Sequence, residues 1–199
     1  MIGLYHAFIL YTSQLKNLKK LTTLWASDNK INSIKNIENL TNLKYLYLNN
    51  NEIEDISPLK NLVNIEYLGL NYNKIKDIEI LKYLTKLKVL GISKNKINDL
   101  SKLNNLKLED GFFPWDQTIT VNAISTSENT YELDLNLLKD RNNKTINISN
   151  LGTGSYDKEK NIIRWINIPL PHNASFQVDN GMLVYENNSF YGTVRVKIR

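Results

Sequence analysis

The chain has no cysteine, two histidines, eight glycines and four prolines in 199 residues. Without cysteine there are neither disulfides nor thiolate metal sites, and the compartment stays open, because such a chain suits a bacterial surface protein as well as a cytosolic one. With His6 and His172 as its only imidazoles, spacing assembles neither a catalytic triad nor a metal site. Gly152, Thr153 and Gly154 lack the strand-to-helix context of a phosphate loop and read as a hairpin turn. No apolar run approaches a membrane span. Residues 2–11 are apolar but have no basic start and no clear small-residue cleavage site, so they make a poor signal peptide. An enzyme is not expected from this inventory, and neither a cofactor nor a metal is implied.

What the chain does have is a rhythm. Between residues 18 and 105 the pattern LxxLxxLxLxxNxIxxIxxLxx recurs every 22 residues, beginning at Leu18, Leu40, Leu62 and Leu84. The offsets repeat as Leu21, Leu43, Ile65, Leu87 and as Leu24, Leu46, Leu68, Leu90, with Asn29, Asn51, Asn73 and Asn95 as a polar column. A fixed period in the twenties with an Asn after a leucine run is the leucine-rich-repeat signature. Around Leu46 and Leu48 the alternation predicts a short strand, with Tyr45, Tyr47 and Asn49 facing away from the leucines. One such strand cannot fold alone. Stacked in parallel register, the copies form a solenoid whose coils contact mainly their neighbours. The asparagine carboxamides, donor and acceptor at once, are expected to satisfy buried backbone groups of the adjacent coil. The outer arcs of 22-residue repeats are short, so 3₁₀ or irregular turns are expected there, with Pro58 starting one.

The outward strand positions line the concave face in columns: Thr23, Tyr45, Tyr67, Val89, then Trp25, Tyr47, Gly69, Gly91, then Ser27, Asn49, Asn71, Ser93, then Asp28, Asn50, Tyr72, Lys94. The interior does not require Trp25, Tyr45, Tyr47, Tyr67 or Tyr72. Tyr and Trp offer large contact area at small entropic cost and anchor many interfaces. The competing explanation is cross-strand stacking with no partner. Trp25, Tyr45, Tyr47, Tyr67, Tyr72, Asn49, Asn71 and Lys94 are the candidate protein-binding residues. Glycosidase chemistry needs a carboxylate pair, and this face offers Asp28 alone among its columns.

Residues 1–17 read as a degenerate or truncated cap, with Leu15 matching Ile37 and Ile9 matching Ile31 one period on; a truncated start predicts fast amide exchange before Leu18. After Leu106 the pattern breaks down and Gly111, Phe112, Phe113, Pro114 and Trp115 form a junction. Beyond it, short alternating segments at 118–123, 131–137, 145–148, 161–168, 174–178 and 191–198, with turn residues at 142–143, 152–154 and 187–188, predict an antiparallel sandwich with Trp165 in its core. The domains expected are thus 1–17, 18–110 and 111–199. The formal charge of +5 sits on the first part: residues 1–110 carry 16 Lys and Arg against 11 Asp and Glu, residues 111–199 nine of each. Lys30, Lys74 and Lys96 fall in turn columns away from the aromatic face, which disfavours a nucleic-acid interface.

The repeats carrying Ile53-Glu-Asp-Ile-Ser-Pro-Leu59, the junction Gln117-Thr-Ile-Thr120, the stretch Trp165-Ile-Asn-Ile-Pro169 and the closing Phe190-Tyr-Gly-Thr-Val194 together resemble the internalins and related bacterial surface proteins. That resemblance spans about residues 18–199. It implies a leucine-rich-repeat solenoid of parallel strands and short 3₁₀ arcs, followed by an all-β immunoglobulin-like sandwich. It also implies a secreted or surface-exposed, non-catalytic module that captures a protein partner, such as a host cell-surface protein, on its concave face during adhesion. A monomer is expected, with no membrane span. The signal peptide, helical cap and wall anchor usual in the family are not visible here, and the insert at 111–116 departs from its pattern. Two alternatives remain open: an intracellular leucine-rich-repeat scaffold or regulator, and a fragment without independent function.

Overall fold

In the computed structural model the described residues are 3–4, 12–113, 117–127, 130–134, 155–157, 159–160, 162–166, 175–178, 182–183 and 190–198. They fall into two compact units, residues 1–97 with 102–114, and residues 98–101 with 115–199.

The first unit is the leucine-rich-repeat coil stack. Its strands β1 (Gly3–Leu4), β2 (Thr23–Trp25), β3 (Tyr45–Tyr47), β4 (Tyr67–Gly69), β5 (Val89–Gly91) and β6 (Gly111–Phe113) lie side by side in that order. All neighbours are parallel, and from β2 to β6 the register advances by one repeat per strand, as in Leu24↔Leu46, Leu46↔Leu68, Leu68↔Leu90 and Leu90↔Phe112. Strands β2 to β6 are three residues long, but backbone pairing between coils continues past them, with Leu48 N donating to Gly69 O and Asn50 N to Asn71 O, so Leu48 and Leu70 are buried as well. The return arcs are 3₁₀ turns at Thr12–Leu15, Lys35–Ile37, Ser57–Asn61, Glu79–Tyr83 and Ser101–Leu103, with Pro58 at the start of the third. Between strand and arc lies a closed aliphatic core. Leu46, Leu68, Leu90, Ile53, Ile75 and Ile97 are all fully buried.

Three details depart from the period. Leu18, equivalent to the buried Leu40, Leu62 and Leu84, is 42% exposed, as befits the outermost part of a stack. At the start, Leu4 meets Leu24 across a coil two residues shorter than the rest. At the far end the sheet runs on through Gly111–Phe113, three residues into the stretch that the sequence reads as the next domain.

The second unit contains β7 (Gln117–Ser127), β8 (Thr130–Asp134), β9 (Ser155–Asp157), β10 (Ile162–Ile166), β11 (Ser175–Val178), β12 (Met182–Leu183) and β13 (Phe190–Ile198). β10 pairs antiparallel with β8 and β9, and β11 and β12 pair antiparallel with β13. One pairing breaks the antiparallel expectation: β13 runs parallel to the first part of β7, from Gly192↔Gln117 to Ile198↔Ala123. The long intervening chain makes that possible, since parallel neighbours need a crossover. The later part of β7 changes partner and pairs antiparallel with β8, with a register shift between Ser125 and Ser127. The strand expected at 145–148, the turns at 142–143, 152–154 and 187–188, and the side chain of Trp165 lie outside the described residues.

Candidate protein-binding face

The strand face owes its geometry to a buried polar ladder directly behind it. The Nδ2 of Asn51 donates to Leu48 O at 3.1 Å in its own coil and to Ala26 O at 2.9 Å in the preceding one, while its Oδ1 accepts from Ile31 N at 3.0 Å. Asn73 and Asn95 repeat this pattern, donating to Leu48 O and Leu70 O of the coil before and accepting from Ile53 N and Ile75 N. One carboxamide thus satisfies groups from two coils and fixes their spacing.

The next column toward solvent forms a second ladder. Asn49 N donates to Ser27 Oγ at 3.2 Å, Asn49 Oδ1 accepts from Asn71 N at 2.9 Å and Nδ2 at 3.0 Å, and Asn71 Oδ1 accepts from Ser93 N at 2.8 Å. Asn49 and Asn71 therefore tie neighbouring coils together. Gly69 and Gly91 make room for them: a Cβ on Gly69 would stand 2.8 Å from Asn49 Nδ2, and one on Gly91 2.6 Å from Asn71 Nδ2.

Those glycines also shape the aromatic strip. Trp25 and Tyr47, opposite each other in register, stack with ring centroids 4.5 Å apart and planes inclined by 19°. With no side chain on Gly69 opposite it, Tyr47 meets Tyr67 diagonally at 4.8 Å and 37°. The stack therefore crosses from one column to the other, with Tyr45 directly opposite Tyr67. All four rings are half-buried. Thr23, at the head of the Tyr45 column, is 5% exposed and its hydroxyl has no hydrogen-bond partner.

At the rim, Asp28, Asn50, Tyr72 and Lys94 all adopt left-handed backbone, with φ from 53° to 60°. Asp and Asn tolerate that conformation, whereas Tyr and Lys are strained by it. Asn50 Nδ2 donates to Asp28 Oδ1 at 2.8 Å. Tyr72, 52% exposed, lies 4.7 Å beneath the Lys94 ammonium.

Along the opposite rim a charged column that the sequence reading passed over, Lys44, Glu66 and Lys88, precedes the strands. Glu66 is shared, 3.1 Å from Lys44 and 3.4 Å from Lys88, and hydrogen bonds from Lys44 and then Lys88 hold its carboxyl below the usual carboxylate range. The 22-residue period alone would have found this column. Among the turn lysines, Lys74 binds Glu52 at 2.8 Å, which lowers the glutamate and raises the lysine.

On the outer arcs a cleft of about 400 Å³ is lined by Asn32, Ser33, Lys35, Asp55 and Ser57. Its Asp55 carboxylate is already engaged by Ser57 N at 2.8 Å and Ser57 Oγ at 3.0 Å. Among the described residues no group of His, Asp and Glu is arranged to hold a metal, and no helix is long and apolar enough to cross a membrane.

Comparison with known proteins agrees with this architecture. A family model of leucine-rich repeats matches twice, over residues 19–61 and 63–105. An internalin (InlF) from Listeria monocytogenes is 37% identical over 59% of this chain and 35% of its own, with a TM-score of 0.55. The chain is a leucine-rich-repeat protein similar to the internalins. A second internalin structure, the functional domain of InlJ from Listeria monocytogenes, covers 93% of this chain and 50% of its own at 19% identity and a TM-score of 0.63, a likeness of fold alone. Its description includes a cysteine ladder; this chain has no cysteine and carries ladders of asparagine instead. No curated protein matches. The chain spans about a third to a half of the length of these two relatives.

Of the eight residues expected to form the site, the structure brings Trp25, Tyr47 and Tyr67 into one stack with Tyr45 beside it, and pairs Tyr72 with Lys94 at the rim. Asn49 and Asn71 lie between these groups, in the ladder. As in other leucine-rich-repeat proteins, the arrangement is consistent with a protein-binding module.

Proposed function

We propose that the concave strand face is the binding surface of a non-catalytic adhesion module, which captures a protein partner on the surface of a host cell. The observation that carries this is the Trp25, Tyr47 and Tyr67 stack, half-buried on the side of the sheet away from the leucine core. The core is closed without these rings, since Leu24, Leu46 and Leu68 are fully buried on the other face. Preorganised aromatics that a partner can cover completely are the usual anchors of a protein interface. The similarity to internalins supports the same surface and a secreted or cell-surface location. It also supports an immunoglobulin-like sandwich for the second unit, a reading to which the change of partner along β7 adds weight. The module acts as a monomer on this reading.

The test is capture from host-cell surface extract by the tagged full chain and by a variant with Trp25→Ser, Tyr47→Ser and Tyr67→Ser combined. A partner held by the first and lost by the folded second supports the reading; equal capture by both refutes it.

A further inference from the structure

Resting on the strand face as a protein-binding surface, we propose that the partner presents an acidic segment, laid so that its carboxylates lie over the fourth coil and its apolar residues over the aromatic stack. The first ground is charge distribution. Residues 18–39 carry four Lys against two acidic residues, residues 40–61 two against three and residues 62–83 three against three, whereas residues 84–105 carry five Lys against one Asp. Two of those five, Lys88 and Lys94, flank the strand of that coil on either side. The columns flanking the strands carry Thr22 and Asp28 in the first coil, Lys44 and Asn50 in the second, Glu66 and Tyr72 in the third and Lys88 and Lys94 in the fourth, so the face is aromatic and near neutral at β2 and β3 and cationic at β5.

The second ground is the way Lys94 is held. It occupies left-handed backbone at φ 53°, a position filled by Asp28 and Asn50 in the first two coils. A lysine there keeps its charge against a backbone preference, and strain of this kind marks sites of function. Its ammonium stands over the Tyr72 ring, which limits its wandering and leaves less entropy to lose on binding. Across the same coil, Lys88 shares the single carboxylate of Glu66 with Lys44.

The third ground concerns the rings. Trp25 and Tyr47 cover each other's faces at 4.5 Å and 19°, and Tyr67 leans over Tyr47 at 4.8 Å and 37°, so within the stack it is ring edges that are left for a partner. Ring edges carry the positive part of the aromatic quadrupole and attract carboxylate and carbonyl oxygens. The same stacking disfavours a glycan, whose apolar C–H face needs an open ring face to lie on.

The experiment displays random 15-residue peptides to the full chain at low salt and measures the affinities of the selected peptides. They are expected to be rich in Asp and Glu, and to lose about tenfold in affinity for a Lys88→Glu, Lys94→Glu variant and again in high salt. Neutral or basic selected peptides, or acidic ones indifferent to that charge reversal in a folded variant, overturn the proposal. The combined Trp25, Tyr47 and Tyr67 serine variant separates the two readings. Peptides that need the rings but not the lysines leave the binding face intact and remove only its acidic partner. Peptides that need neither remove both.

Discussion

Replacing Asn73 by alanine is expected to destabilise the repeat unit by about 2–4 kcal/mol, because it orphans one buried donor and opens a small void. The donor is Ile53 N, whose bond to Asn73 Oδ1 is 3.0 Å long and buried. The acceptors suffer less: Leu48 O also accepts from Asn51 Nδ2 at 3.1 Å, and Leu70 O from Asn95 Nδ2 at 2.9 Å. An unpaired buried donor accounts for about 1–3 kcal/mol of the loss, and the missing carboxamide volume for the rest. Asn73→Asp sharpens the test, since it keeps an oxygen for Ile53 N but turns another toward Leu48 O, Leu70 O and Asn71 O. Burial and those carbonyls raise the folded pKa of the new carboxyl, so this variant should be least stable at neutral pH and recover as pH falls through that raised value. Native-state hydrogen exchange at the amides of Leu46 and Leu68 reads the repeat unit separately from the second unit. Exchange free energies unchanged by Asn73→Ala to within about 0.5 kcal/mol would refute the ladder argument.

Three further perturbations test the packing and charge of the repeats. Gly69→Ala drives a methyl to 2.8 Å from the hydrogen-bonded Asn49 carboxamide, and should cost about 1–3 kcal/mol in urea unfolding; a neutral or stabilised variant contradicts the packing described. Thr23→Val removes a buried hydroxyl without a partner, and should raise stability by about 1 kcal/mol, read as a higher urea midpoint. For Glu66 the folded pKa lies below the ordinary value of 4.5, so the stabilisation from Lys44 and Lys88 is complete above 4.5 and fades as pH falls through the lower folded value. Melting temperatures taken across that acid range should therefore fall less steeply for Glu66→Gln than for the parent chain, and parallel curves would exclude this contribution.

The interior was legible in the sequence because it repeats. A column such as Leu24, Leu46, Leu68, Leu90 has one physical solution, and the asparagine column declares its role by following it. The ends were not legible for the opposite reason. In the fifth copy Glu109 stands where a leucine belongs and Pro114 where another belongs, which hides Phe112 at its proper distance from Leu90. Leu4 escapes notice because its coil is shorter than the period. On the face, the residue types were legible but their division of labour was not. That Asn49 and Asn71 tie coils together depends on the space above Gly69 and Gly91, and the diagonal meeting of Tyr47 with Tyr67 depends on the same missing side chain. The left-handed rim shows Asp and Asn in two coils, but Tyr72 and Lys94 conceal the conformation in the other two.

Hydrogen exchange of the chain free and saturated with its captured partner tests the binding face most directly. Slowed exchange is expected at residues 23–28, 45–50, 67–72 and 89–94, with the arcs at 35–37, 57–61 and 79–83 unchanged. Slowing confined to those arcs, with the strand residues untouched, would contradict it.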